Sequence, residues 1–337
     1  CNLSHFQVVR ILHESRSSTI YSALNGEQRV IIKLLNTTGS LLFAQQRLRK
    51  EYKICCQLAN LNSQYFLKPL EFYHHDGRVG IVWEDNGLIT LKAFAASNSL
   101  PIEQFMVISK QIAQGLHILH SNGLIHRDIS PRNILIHPDT LQVFISDFGS
   151  ASYWRELEEN LIQTKTGYPS CGTFHYMSPE HTGKICRPID HRSDIYGLGI
   201  VFYELLCGNP PLSGINGRIE ILFAHVALEF PSLHLLSSCH QKVPLVISQI
   251  VAKMLKKEAS DRYQSCLGLL YDLEASEGFL HIFSSSQDTL VSLASQFQGE
   301  NGSDETSSQG QLKQLQMIQH IQQSRLDTTQ NEVILPL

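Results

Sequence analysis

The first ninety residues alternate apolar and polar positions in short runs. FQVVRIL (6–12), TIYSAL (19–24) and RVIIKLL (29–35) are β-branched and apolar, the pattern of half-buried strands. LFAQQRLRKEYKICCQLANL (42–61) changes period: Leu48, Tyr52, Cys55 and Leu58 recur at helical spacing on one side. FLKPLEFYHHDGRVGIVWED (66–85) returns to two strands about the turn His75-Asp76-Gly77. From 101 the pattern is helical. Residues 101–123 start with Pro101 and stop at Asn122-Gly123. DIYGLGIVFYELLCG (194–208), IEILFAHVAL (219–228) and PLVISQIVAKMLKK (244–257) are further apolar helices. The pattern predicts an α+β chain with a small β-rich lobe at about 6–85 and a larger helical lobe at about 86–278. Past 278 little is available to bury, and 284–310 is rich in Ser, Gln, Gly and acid. Residues 279–337 therefore read as a flexible linker or tail. Leu312, Leu315, Ile318 and Ile321 form a stripe too short for a coiled coil, so 311–326 reads as a short linker helix.

Composition narrows the classes. Of 337 residues, 42% are hydrophobic, enough for a core, and 27 basic against 31 acidic residues give a net charge of -4. That balance provides no electrostatic footprint for nucleic acid. No apolar run reaches the roughly 18 residues of a membrane helix, and CNLSHFQVVR has no signal-peptide pattern. A start on Cys1 rather than Met sets the expectation of an excised region or an incomplete gene model. Eight cysteines form no C-x-x-C and suggest neither a zinc site nor a disulfide framework. Free thiols in a reducing, cytoplasmic compartment are the plain reading. His74-His75 has no Cys or carboxylate at ligand spacing and is set aside as a metal site.

The chemistry concentrates in HRDISPRNILI and ISDFG, which fix Asp128, Asn133 and Asp147 within about twenty residues. Each alone reads as a loop cap or a turn. Together they match a known motif set for phosphoryl transfer, which needs metal-neutralised phosphates and a positioned hydroxyl more than covalent help. Asp128 would orient the acceptor hydroxyl and take its proton. Asn133 and Asp147 are oxygen donors suited to Mg²⁺.

In order and spacing these residues resemble a eukaryotic-type Ser/Thr protein kinase domain over about 6–278. VIIK supplies Lys33, which the resemblance makes the contact to the α/β-phosphates, and RLRKEY supplies Glu51 as its ion-pair partner. Read alone, Lys33 is a solvated strand-edge charge. CGTFHYMSPE (171–180) resembles the end of an activation segment, with Thr173 in the substrate-docking loop. DIYGLG supplies Asp194, the brace of the catalytic-loop backbone, and DRYQ supplies Arg262, the partner of Glu180. The resemblance implies ATP and Mg²⁺ as cofactors and a protein Ser/Thr hydroxyl as acceptor. It places Leu12, Ser15, Ser18, Ile20, Ile31, Trp83, Glu84, Asp85 and Leu135 around the nucleotide beside Lys33 and Asp147. MSPEHTGKICRPIDHRSDIYGLG and DRYQSCLGLLYDLE are similar, more narrowly, to the amino-terminal kinase-like domain of large histidine kinase-containing sensor proteins of cyanobacteria and fungi. On that likeness the partners include sensor modules downstream in a longer chain.

Several positions depart from the pattern. LHESRSSTI (12–20) has no glycine where the phosphate loop belongs, and Ser15 and Ser18 stand at two of the expected glycines. Ile31 replaces a usual Ala over the adenine, and Trp83 takes the position before the hinge Glu84-Asp85. Ser130 replaces a usual Lys, whose charge is worth roughly 3 kcal/mol in such a site; Arg132 is placed to compensate, and Ser130 to bond Thr173. Arg127 is the usual receiver of an activation-segment phosphate, and Thr164, Thr166, Tyr168, Ser170 and Thr173 are hydroxyls in that segment. Two functions remain open: an active Ser/Thr kinase, or a pseudokinase-type signalling or scaffold module.

Overall fold

In a computed structural model of the chain, the described residues are 3, 5–36, 41–97, 100–156, 174–185, 187–236, 239 and 242–278. The chain divides into two compact units, Cys1–Gly278 and Phe279–Leu337. The expected tail at 279–337 and helix at 311–326 lie outside the described residues, as do Thr164, Thr166, Tyr168, Ser170 and Thr173.

Strands β1 (Phe6–Glu14), β2 (Ser18–Asn25), β3 (Gln28–Leu35), β4 (Pro69–His75) and β5 (Arg78–Glu84) form an antiparallel sheet in the order β1-β2-β3-β5-β4. The β4–β5 turn is Asp76-Gly77, with φ of 51° and 73°. Both residues tolerate the left-handed region that a two-residue hairpin turn requires. The alternation in β3 sorts the two faces. Val30, Ile32 and Leu34 pack with Tyr21, Ala23, Tyr73 and Val82 on one side. Leu3 and Phe6 close that cluster, so the lobe begins before the expected residue 6.

The other face carries Ile31, Lys33 and Leu35. Its rear half, with Leu35, Val79 and Ile81, packs on Leu48 of helix α1 (Leu41–Ala59). On α1 Leu48, Ile54, Cys55 and Leu58 are buried as the periodicity requires, and Tyr52 is half-buried. Glu51 is buried on the same helix at 3% exposure, a carboxylate that must find a partner.

Short strand β6 (Ile89–Thr90) and helix α2 (Leu91–Ser97), which the hydrophobic pattern did not signal, lead to α3 (Ile102–Ser121). Pro101 sits at the N-cap of α3, one position before its first turn. Strands β7 (Leu124–Ile125), β8 (Ile134–Ile136), β9 (Val143–Ile145) and β10 (Ser152–Tyr153) follow. They form a β6-β8-β9 sheet and a β10-β7 pair around residues 126–133 and 146–149. Helix α4 (Arg192–Cys207) is buried from Ser193 to Leu206, which is why it reads as apolar on all sides. Gly199 lets it approach closely: a Cβ there would come within 2.9 Å of Met254 and Leu255. Helices α5 (Arg218–Ala227), α6 (Leu245–Met254) and a last helix over 266–278, which was not among those expected, complete the lobe.

Candidate active site

Register aligns the small lobe's contribution. Ile20 pairs with Lys33, Lys33 with Ile81, and Ile31 with Trp83. Cross-strand partners share a face, so Ile20, Ile31, Lys33 and Trp83 lie on one side of the sheet. Trp83 packs on the cluster of Leu35, Leu48, Val79 and Ile81 and is half-buried. Glu84 is exposed. The Asp85 amide donates to the Arg29 carbonyl at 3.1 Å, and its carboxylate accepts from Gly87 N, also at 3.1 Å. Leu12 lies in the irregular register between Ile11 and His13 and is 43% exposed.

Lys33 Nζ donates to both Glu51 oxygens, at 2.7 and 2.9 Å, and to Asp147 Oδ1 at 3.0 Å. Burial works against the ammonium, but the two carboxylates outweigh it and hold Lys33 above its ordinary pKa. Burial raises Glu51, with Lys33 opposing. Burial also opposes the Asp147 charge, but Lys33 overrides it and holds Asp147 down to about 2. Asp147 has φ 61° and ψ 68°, a left-handed conformation favoured by Asp among residues with a side chain. Arg47 stands one helical turn before Glu51, on the same side of α1. It donates to the Gly149 carbonyl at 2.6 Å and to Ser150 Oγ at 2.8 Å. The i, i+4 spacing from Glu51 is the signal that finds it in the sequence.

The Asp128 loop is held by a buried carboxylate. Asp194 Oδ2 accepts from His126 N and Oδ1 from Arg127 N, both at 2.8 Å. His120 Nε2 lies 2.8 Å from the same Asp194 Oδ2. These donors outweigh the burial that works against the Asp194 charge and keep it below its usual range. Burial opposes the charge of His120 as well, but Cys266 and Asp194 together raise it to about 10. His120 was not among the residues singled out in the sequence, where one histidine near a helix end among sixteen carries no signal. The His126 ring lies tilted at 60° to Phe148, 5.3 Å between centroids, Phe148 stands 6.1 Å from Phe66, and His126 Nε2 meets the Ser146 carbonyl at 3.0 Å. Arg127, with φ 67°, donates through Nη1 to Ser152 Oγ at 3.0 Å.

Asn133 Nδ2 donates to the Asp128 carbonyl at 2.8 Å, which fixes the amide and leaves Oδ1 as its acceptor. The Asn133 carbonyl accepts from Ser146 N at 2.9 Å, tying the Asn133 strand to the residue before Asp147. One amide oxygen and one partly exposed carboxylate are hard donors, the set that fits a magnesium ion coordinated mainly by water and phosphate. Leu135 alternates with the buried Ile134 and Ile136 and so points from the opposite side of β8.

The loop between β1 and β2 is closed on itself. Ser15 N donates to the Ser18 carbonyl at 2.9 Å, Ser18 N to Ser15 Oγ at 3.1 Å, and Ser15 Oγ to the Ser18 carbonyl at 2.8 Å. Asn36 Nδ2 holds the Ser15 carbonyl at 2.7 Å. The two serines expected to stand in for glycine therefore spend hydroxyl and amide on the loop's own backbone. Ser130 is buried at 1% exposure, and its Oγ has no hydrogen-bond partner among the described residues. Arg132 is exposed. Arg262 and Glu180 form a buried two-point pair, Nη1–Oε1 2.7 Å and Nη2–Oε2 2.9 Å, which overcomes burial and holds Glu180 down to about 2.

The structure thus draws Lys33, Glu51 and Asp147 together and ties Asp128 and Asn133 into the adjoining loop. Comparison with known proteins gives the family. A hybrid signal transduction histidine kinase of Dictyostelium discoideum is 29% identical over 52% of this chain and 7% of its own length. A probable serine/threonine-protein kinase of Clostridium perfringens is 26% identical over 80% of this chain and 38% of its own. Serine/threonine-protein kinase PknB of Mycobacterium leprae is 34% identical over 52% and 26%. The chain spans well under half the length of each. The family described as the protein kinase domain matches residues 6–270, nearly all of the first compact unit, and the chain belongs to that family.

Proposed function

We propose that residues 6–278 form a Ser/Thr protein kinase domain that transfers the γ-phosphate of ATP to a protein hydroxyl. The observation that carries this reading is Lys33 bonded to both Glu51 and Asp147. A lysine so placed is a fixed cation for the α/β-phosphates, since Glu51 leaves it one orientation. Asn133 and Asp147 would hold Mg²⁺, which neutralises charge on the transferred phosphoryl group. Asp128 orients the acceptor hydroxyl and receives its proton, and its backbone is kept in place by Asp194 through the two preceding amides. Leu12, Ser15, Ser18, Ile20, Ile31, Trp83, Glu84, Asp85 and Leu135 would line the nucleotide site beside Lys33 and Asp147.

Free thiols at Cys55, Cys56, Cys207, Cys239 and Cys266 support a reducing, cytoplasmic setting. No helix of the described residues is long and apolar enough to cross a membrane. Similarity to a hybrid histidine kinase supports further sensor modules as partners in a longer chain.

The test is transfer of radiolabelled γ-phosphate from ATP with Mg²⁺ to a generic basic protein and to the chain itself, beside an Asp128→Asn control. Transfer that vanishes in the control supports the kinase. Transfer no greater than the control, at saturating ATP, replaces it with a pseudokinase-type signalling module.

A further inference from the structure

Helix α4 places Tyr196 two residues after Asp194, and helix α5 places His225 against it. Both side chains are fully buried. His225 Nε2 lies 2.8 Å from the Phe174 carbonyl oxygen, and His225 Nδ1 lies 3.0 Å from Tyr196 Oη. A carbonyl only accepts, so Nε2 carries the proton. Burial pushes His225 down to about 4, so the ring is neutral near pH 7 and Nδ1 is an acceptor. The Tyr196 hydroxyl therefore donates to Nδ1 and selects the tautomer that grips Phe174.

The same tyrosine meets the other end of the segment. Arg262 Cζ sits 4.9 Å from the Tyr196 ring, and Arg262 holds Glu180. The segment from Phe174 to Glu180 is thus pinned at both ends, by His225 and by Arg262, with Tyr196 between them. The Phe174 ring packs against Leu212, Ile221 and Ala224, and the Arg218 guanidinium lies 5.3 Å over it. Helix α5 consequently holds both the backbone and the ring of the residue next to Thr173.

Resting on the kinase reading, we propose that His225 is a positioning residue for the acceptor protein: through the Phe174 carbonyl it fixes the segment against which the acceptor peptide docks, in the tautomer that Tyr196 selects. Its loss is expected to act on acceptor binding and not on the nucleotide side: His225 bonds Phe174 and Tyr196, whereas Lys33 bonds Glu51 and Asp147.

The test is steady-state transfer by the full chain, with mixed histones as acceptor, for wild type, His225→Ala, His225→Gln and Tyr196→Phe. His225→Ala strands a part-buried carbonyl, and the acceptor KM is expected to rise about tenfold. The KM for ATP should stay within about twofold, since no ATP contact is removed. His225→Gln restores a donor to Phe174 and an acceptor to Tyr196 and should recover most of the loss. Tyr196→Phe keeps the ring but not the selected tautomer, and about a threefold rise in acceptor KM is expected from one weakened hydrogen bond. If His225→Ala does not fold, the last two variants decide. An unchanged acceptor KM, equal losses against ATP and acceptor, or no benefit of Gln over Ala overturns the inference. Wild type that transfers to no acceptor overturns the kinase reading and takes this inference with it; wild type that transfers while the variants keep its acceptor KM overturns this inference alone.

Discussion

Asp147 Oδ1 lies 3.0 Å from the Lys33 ammonium, which is already bonded to Glu51. One cation thus stands between two carboxylates, and the Arg47 guanidinium adds its field to both. A dication offered by Mg·ATP would meet negative charge at Asp147, the more exposed of the two acids at 41% against 4%. Asp147→Asn removes that charge. We expect the extra thermal stabilisation by ATP with Mg²⁺, over ATP with EDTA, to disappear, and transfer to fall by at least about a hundredfold. With Asp147 held down to about 2, its ionisation does not set any acid limb of the rate above pH 4. A retained Mg²⁺-dependent shift in the variant would take Asp147 out of the metal site.

Lys33 and Glu51 test the difference between stability and activity. Their side chains are 15% and 4% exposed, so each needs the other. Glu51→Ala leaves a buried ammonium facing only Asp147 and should cost about 3 kcal/mol. The double variant Lys33→Met with Glu51→Leu replaces the pair by apolar groups and should recover most of that loss, while transfer stays absent. Urea unfolding of wild type, Glu51→Ala and the double variant measures it. A double variant as unstable as Glu51→Ala would show that packing, not charge, dominates the site.

Ser130 presents the opposite balance. A buried hydroxyl with no partner among the described residues is a cost those residues leave unmet, and such groups gather where function needs them. Ser130→Ala should therefore stabilise the chain by about 1 kcal/mol. If the hydroxyl serves the acceptor or the phosphate, kcat falls about tenfold in the same variant. Stabilisation with unaltered kcat would remove Ser130 from the catalytic loop's chemistry.

Most of the fold was legible because its elements carry strong periods. The α1 stripe, the Asp76-Gly77 turn and the all-round apolar α4 each follow from local pattern. Helix α2 was not signalled because it is short. The last helix does carry a local signal that the expected elements did not include: Cys266, Leu269, Leu270 and Leu273 fall at i, i+3, i+4 and i+7, and all four are buried. In the site, ordered motifs brought Lys33, Glu51, Asp128, Asn133 and Asp147 to notice. Arg47 needed the extra step of counting one turn back from Glu51. His120 was hidden because its role comes from Asp194, seventy-four residues away, and no local spacing encodes that. The closed Ser15–Ser18 turn was likewise invisible, since sequence shows which hydroxyls are present but not where they point.

His120 gives the fold an alkaline limit that can be measured. Its pKa is raised to about 10 in the folded chain, against an ordinary 6.5 when exposed. A cation favoured by folding contributes fully below pH 6.5, where both states bind the proton. Between 6.5 and 10 the unfolded chain has lost the proton and the folded chain has not, so the contribution shrinks as pH rises and is gone above 10. Each pH unit in that window removes up to about 1.4 kcal/mol. His120→Asn keeps a side-chain donor near Asp194 without the charge. The stability difference between wild type and this variant should therefore be largest near pH 6 and close steadily toward pH 10, read from urea midpoints at fixed ionic strength. Cys266→Ala removes one of the groups that raise His120 and should move the window down. Because Asp194 also holds the amides of His126 and Arg127, wild-type transfer should weaken across the same range. Stability curves that run parallel from pH 6 to 10 would show that His120 is neutral in the folded chain and that Asp194 braces the Asp128 loop without it.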